Sequence, residues 1–143
     1  MPEESTTPGL VELVRGFWVS AARSDWEAIL RFYAHDAVWD MSPMGLGTYE
    51  DEAAMRGLWK DWVGAYDELD LDVEALDVGN GVVLAVVRQN ARPAGSIGWV
   101  HAQQALVYLW AGGKVGRVTI YTDADEARAA AERLAKERAR ADA

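Results

Sequence analysis

Glu68-Leu-Asp-Leu-Asp-Val-Glu-Ala75 is where the sequence changes period. Leu69, Leu71, Val73 and Ala75 alternate with Glu68, Asp70, Asp72 and Glu74, the period-two pattern of a strand with one face in a core and the other in water. Leu76 and Val78 carry the apolar series onto even numbers, which predicts a bulge near Ala75. Gly79-Asn80-Gly81 then reads as a hairpin turn, because these residues accept the positive φ that a tight hairpin needs. Downstream the same period predicts strands from Val82 to about Asn90, from Trp99 to Trp110 after a Pro93–Gly98 loop, and from Val115 to Thr122 after Gly112-Gly113. The C-terminal half is an antiparallel four-stranded meander.

Upstream of Glu68 the spacing is three to four. Leu10, Val14, Phe17, Trp18 and Ala21 mark the buried stripe of a first helix, with Thr7 as its cap and Pro8 in its first turn. Ser24-Asp-Trp-Glu27 has capping-box spacing and opens a second helix with Trp26, Ile29, Leu30 and Tyr33 inside. Asp36 to Met41 reads as a short strand, ended by Ser42-Pro43, Gly45 and Gly47. Met55, Leu58, Trp59, Trp62 and Tyr66 define a third helix. A second capping box, Asp123-Ala-Asp-Glu126, starts a tail helix whose apolar residues are nearly all alanine. Segregated helices and strands give an α+β class, with three N-terminal helices packed over a curved antiparallel sheet and a helix at the C-terminus. The expected organisation is a flexible N-terminus over residues 1–7, one domain over 8–135 and a frayed helix end over 136–143.

The 143 residues carry 14 Lys+Arg against 23 Asp+Glu, a net charge of −9. Such an acidic chain with no basic cluster is a poor partner for nucleic acid or an anionic membrane. Without cysteine, thiolate catalysis and Cys-based metal sites are excluded. No apolar run approaches the roughly 20 residues of a membrane span, and the start of the chain lacks the basic and apolar regions of a signal peptide, so a cytoplasmic protein is expected. Seven tryptophans form the unusual component.

Several segments resemble the SnoaL-like branch of the nuclear transport factor 2-like, or cystatin-like, superfamily. They are Ser24 to Trp39 (SDWEAILRFYAHDAVW), Gly47-Thr-Tyr49, Val82 to Gln89, and Gly113 to Ala127 (GKVGRVTIYTDADEA). Together they span roughly residues 8 to 135. The resemblance implies a conical sheet around an apolar pocket, a small apolar or aromatic ligand, chemistry without metal or cofactor, and a homodimer built on the open face of the sheet. Trp18, Trp39, Trp59 and Trp62 lie on segments that would line or close such a cone, together with Phe17, Met41, Ile120 and, at its edge, Thr122.

The site residues of two well-known activities in this superfamily do not carry over. The general base, tyrosine and protonated aspartate of ketosteroid isomerases fall at Met41, Phe17 and Ala105. Asp40 is one step from the base position, and one step along a strand reverses the face. The arginine, aspartates, tyrosine and asparagine of limonene-epoxide hydrolases fall at Val87, Gln89, Ile120, Trp39 and Met41. By strand parity Gln89, His101 and Gln103 are expected to point into the cone. A histidine between two glutamines in an apolar pocket can act as a general base near neutral pH or hydrogen-bond a carbonyl.

Other titratable residues have structural readings. Asp123 has a complete role as a helix cap, His35 sits at a helix end, and Glu68 to Glu74 are the solvated face of a strand rather than metal ligands. No phosphate loop, Ser-His-Asp set or His-Glu-x-x-His motif is present. Two readings follow: a cofactor-independent cyclase, isomerase or hydrolase-type enzyme using His101, Gln89 and Gln103, or a non-catalytic ligand-binding or accessory dimeric domain. If the acidic ladder covers the outer face of its strand, a dimer contact is expected through later residues such as Leu106, Tyr108 and Trp110.

Overall fold

A computed structural model describes residues 9–23, 25–50 and 52–142. The expected flexible segment 1–7, the Thr7 cap and Pro8 lie outside these residues. Helix α1 (Leu10–Ala22) buries Val14, Phe17, Trp18 and Ala21, the stripe that its spacing predicts. Ser24 also lies outside the described residues. Asp25 is the cap of α2 (Trp26–Phe32), its carboxylate accepting from the Ala28 N–H at 3.2 Å. The helix ends one residue before Tyr33, which starts strand β1 (Tyr33–Asp40). Tyr33 is buried from the strand, not from the helix. After β1 come a single 3-10 turn (Ser42–Met44), the two-residue strand β2 (Thr48–Tyr49) and helix α3 (Glu52–Gly64). Tyr66 belongs to the next strand rather than to α3.

The meander forms as the period predicts, with longer strands: β3 (Tyr66–Gly79), β4 (Val82–Pro93), β5 (Val100–Ala111) and β6 (Lys114–Tyr121). It is part of a larger sheet of order β2-β1-β6-β5-β4-β3, in which β1 runs parallel to β6 and every other neighbouring pair is antiparallel. The Gly79-Asn80-Gly81 hairpin has positive φ at all three residues, 108°, 57° and 80°.

No bulge occurs at Ala75. The β3–β4 register is continuous from Glu68 to Asp77 and shifts at the two ends of that run, between Tyr66 and Glu68 and between Asp77 and Gly79. The strand keeps its phase, but its second face becomes covered. Helix α4 (Ala124–Asp142) crosses that outer face, and Val78 joins Val82, Leu84, Ala105 and Val107 in a cluster closed by Ala127, Ala131 and Ala135. An apolar residue on each face in turn imitates a slip of register.

Asp123 caps α4 as expected, accepting from the N–H groups of Asp125 and Glu126. Past Ala135 the helix continues to Asp142. There Arg138 donates to the Trp110 carbonyl at 2.7 Å, while Asn80 donates to the Ala135 carbonyl at 2.9 Å. A Cβ on Gly81 would sit 3.0 Å from the Arg138 guanidinium, so the hairpin glycine also makes room for this clamp.

Helices α1 to α3 cover the opposite, inner face. Their aromatic side chains meet Val83, Ala85, Val87, Leu106, Tyr108, Trp110, Val118 and Ile120 in the main core. Leu106, Tyr108 and Trp110 are therefore interior residues, 0%, 0% and 6% exposed, and do not form the dimer contact proposed for them from sequence.

Candidate functional site

The inner face defines which residues reach the interior of the cone. On β4 the odd positions Val83, Ala85 and Val87 face inward, and on β5 the even positions Leu106, Tyr108 and Trp110 do so. Val87 stands opposite Gln104, whereas Arg88 stands opposite Gln103 and Asn90 opposite His101. Gln104 thus faces the interior, while His101 and Gln103 lie on the outer face. This corrects the parity expected across the Pro93–Gly98 loop. The error has a physical source: α4 buries the outer side of β5, so Leu106 to Trp110 read as one unbroken apolar run with no alternation.

His101 is exposed and pairs through Nδ1 with the Asn90 side chain. Gln103 is exposed as well. Gln89 does face inward and is buried, 6% exposed. The three expected partners are not brought together in one chamber.

The aromatic expectation fares differently. A recess opens between α3 and the sheet, lined by Trp18, Trp39, Met41, Leu58, Trp59, Trp62, Gln104 and Ile120. Phe17 stands behind this wall, stacked on Phe32 with ring centres 4.4 Å apart and edge-on to Trp59 at 5.2 Å. Thr122 lies just past β6 and is exposed. Leu58 and Gln104 were not singled out from sequence as lining residues. Leu58 shares the helical stripe of Trp59 and Trp62. For Gln104 the usable signal is that the large aromatics of β5, Tyr108 and Trp110, both carry even numbers.

Trp59 is the hub of the wall. Its ring meets Phe17, Trp18, Trp39 and Trp62 edge-on at 5.1 to 5.5 Å, an arrangement that suits the quadrupoles of aromatic rings. Behind it, Trp18 Nε1 donates to Tyr108 Oη at 3.0 Å. Burial pushes the Tyr108 phenol up despite that hydrogen bond, and burial followed by the nearness of Tyr108 pushes Tyr33 well up. Both phenols hold their protons at neutral pH. Trp39 Nε1, Trp59 Nε1 and Tyr33 Oη are buried and have no hydrogen-bond partner among the described residues. Buried donors in this state are uncommon in native interiors.

The recess holds about 50 Å³ of free space. An apolar cavity of about 150 Å³ admits benzene, so a larger guest requires the rim to yield. Met41, Leu58, Trp62 and Gln104 are only half-buried and form that rim.

Among the described residues no carboxylate, histidine or cation lines the recess. Asp40, the acid closest to the expected base position, turns to the outer face. It is 8% exposed, pairs with Arg117 of β6 and accepts from the Ser42 N–H at 2.9 Å. Burial raises its carboxyl, but the Ser42 hydrogen bonds and then Arg117 outweigh this and hold it below the ordinary range. The acidic ladder of β3 is likewise exterior. Arg88 lies 3.4 Å from Glu74 and 3.8 Å from Asp72, and Arg92 lies 3.3 Å from Asp67 and 3.5 Å from Glu68. Among the described residues no group of three His, Asp or Glu is placed to hold a metal ion.

Residues 14–118 match the model of the SnoaL-like domain. The chain belongs to the SnoaL-like family. Among solved structures, it is similar to an NTF2-like protein of unknown function from Burkholderia pseudomallei, with 18% identity, a TM-score of 0.65, and coverage of 80% of this chain and 91% of that one. It is also similar to SalBIII, described as an epoxide hydrolase/cyclase-like enzyme in pyran ring formation in salinomycin, at 19% identity and TM-score 0.67, covering 78% and 88%. TerC, crystallised with polyporic acid, gives 16% identity and TM-score 0.67, covering 86% and 97%. At these identities the likeness concerns the fold. Among curated proteins none matches by sequence. No helix among the described residues is long and apolar enough to cross a membrane.

Proposed function

We propose that this SnoaL-like protein binds a small, flat, apolar or aromatic molecule in the recess between α3 and the sheet. The observation that carries the reading is the lining itself: four tryptophans, three aliphatic side chains and one amide, Gln104, with no ionisable group. Pockets of this make-up hold ligands by shape and apolar contact and orient them with a few polar groups. Gln104 offers both a donor and an acceptor. A guest with a carbonyl or hydroxyl oxygen that reaches Trp39 or Trp59 would also gain a hydrogen bond that these N–H groups lack among the described residues.

Binding without acid–base catalysis is favoured over cyclase or isomerase chemistry. General acid–base work needs a titratable group within hydrogen-bond reach of the reacting atom. His101 and Gln103 lie across the sheet from the recess, and Asp40 faces away from it. That TerC was crystallised with polyporic acid supports flat aromatic guests in this fold without assigning one to this chain.

The test is a titration with naphthoquinones and aryl ketones, followed by the fluorescence of the recess tryptophans. The expected result is saturable quenching, weakened by Trp62→Ala and by Gln104→Leu, both at half-buried rim positions. Absence of saturable quenching by every compound, with no rise in melting temperature, would overturn the proposal.

A further inference from the structure

Arg15, Val19 and Arg23 recur every four residues along α1 and its C-cap, so their side chains project as one stripe about 12 Å long. Val19, in the middle of the stripe, is 51% exposed. The arginines on either side of it form no ion pair among the described residues, whereas Arg31, Arg88, Arg92 and Arg117 each pair with a carboxylate. In a chain of net charge −9, two unpaired guanidiniums beside an exposed valine stand apart from the rest of the surface.

Next to this stripe a groove with about 340 Å³ of free space runs between α1 and β3. Trp18 and Ala22 of the helix line it, and Leu69, Leu71 and Val73 of the strand face them. Strand β3 is the edge of the sheet, and these three inward residues stay half-buried, while Val83, Ala85 and Val87 on the neighbouring strand are fully covered. Helix α1 therefore leaves the outermost strand of the inner face incompletely covered. Asp70 is the one acidic residue described in the lining, so the two arginines leave one positive charge in excess. The groove shares only Trp18 with the recess between α3 and the sheet.

We propose that this groove binds an amphiphilic carboxylate, an apolar chain or ring carrying a single anionic headgroup. The apolar body lies along Trp18, Leu71 and Val73 and covers Val19, and the arginines hold the headgroup. A guanidinium matches a carboxylate with two parallel N–H donors, and the methylene stem of arginine adds apolar contact below the charge. The single positive excess suits a monoanion. A broad anionic surface or an acidic peptide would meet Glu68, Asp70, Asp72 and Glu74 along the same edge strand and be repelled, whereas one small anion lying in the groove reaches the arginines on α1. Occupation completes the apolar cover that α1 leaves unfinished over β3.

The experiment is calorimetric titration of the full chain with decanoate below its micellar concentration, with decanol and with acetate. Wild type is expected to bind one decanoate per chain, decanol about tenfold more weakly, and acetate not at all. R15Q/R23Q changes two exposed positions and is expected to bring decanoate down to the affinity of decanol, with decanol binding and circular dichroism unchanged. R15K/R23K, which keeps both charges, is expected to retain the preference for the acid. Equal affinity for decanoate and decanol, no decanoate binding, or a decanoate affinity unchanged in R15Q/R23Q would each overturn the proposal. Loss of decanoate binding in Trp62→Ala would place the amphiphile in the recess and overturn it as well. A failed naphthoquinone titration leaves the groove untouched, so the two sites fail separately. The protein is also expected to stay in the supernatant when phosphatidylglycerol vesicles are sedimented, and co-sedimentation lost in R15Q/R23Q would make a lipid surface the occupant instead.

Discussion

The two faces of the sheet are packed by opposite means. The inner face meets α1 to α3 through indole and phenyl rings set edge to face, and it retains a recess and three buried polar atoms without partners among the described residues. The outer face meets α4 through Ala127, Ala131 and Ala135, which bring the helix close against Val82, Leu84, Ala105 and Val107. Large planar groups leave irregular gaps where they cross, whereas methyl groups on a regular helix fit closely. The comparison locates the adaptable half of the molecule on the inside and the fixed half on the outside.

The largest effect is expected from Trp59→Ala. Removing the hub of the aromatic wall should cost about 3 to 5 kcal/mol of stability, read by urea denaturation, because four rings lose a neighbour. An effect below that found at an exposed site would show that the wall does not act as a core. On the other face the sensitivity should be to added volume. Ala131→Leu, at a fully buried position, should cost about 1 to 3 kcal/mol by overpacking. Stabilisation instead would reveal slack beneath α4.

A smaller effect concerns charge on the outer face. The carboxyl of Asp40 is held below its ordinary value, so its pairing stabilises the fold above the unfolded pKa of about 3.9. That contribution is lost as pH falls through the lower folded value. Asp40→Asn should lower the melting temperature near neutral pH and flatten its decline in acid. Parallel melting curves for the two proteins from neutral to acid pH would assign the pair no role.

Most of the architecture was legible because period and punctuation agree. The stripe of α1, the Gly-Asn-Gly hairpin and the Asp123 cap each follow from local chemistry. Two features were not legible, and both trace to α4. Its contact with Val78 on the outer face, where Leu76 stays exposed, makes the apolar series look slipped in register, and its cover makes Leu106 to Trp110 look featureless. With parity hidden there, the sequence alone does not show that His101 and Gln103 face outward and Gln104 inward. The parallel pairing of β1 with β6 likewise has no local signal, since it depends on segments far apart in sequence. Trp18, Trp39, Trp59 and Trp62 line one recess, each on an element whose direction follows from local spacing.

That parallel pairing also bears on how the protein is made. Strand β1 finds its long neighbour only in β6, and the partner β2 that lies close in sequence offers just two residues. During synthesis, residues 33–40 must therefore wait until residue 121 has left the ribosome. Contacts so distant in sequence slow folding. Throughout that interval Tyr33 and Trp39 on β1 lack their neighbour in the sheet, whereas α1 can already pack on β3, so the nascent chain displays the rings of β1 longest and a chaperone would meet them first.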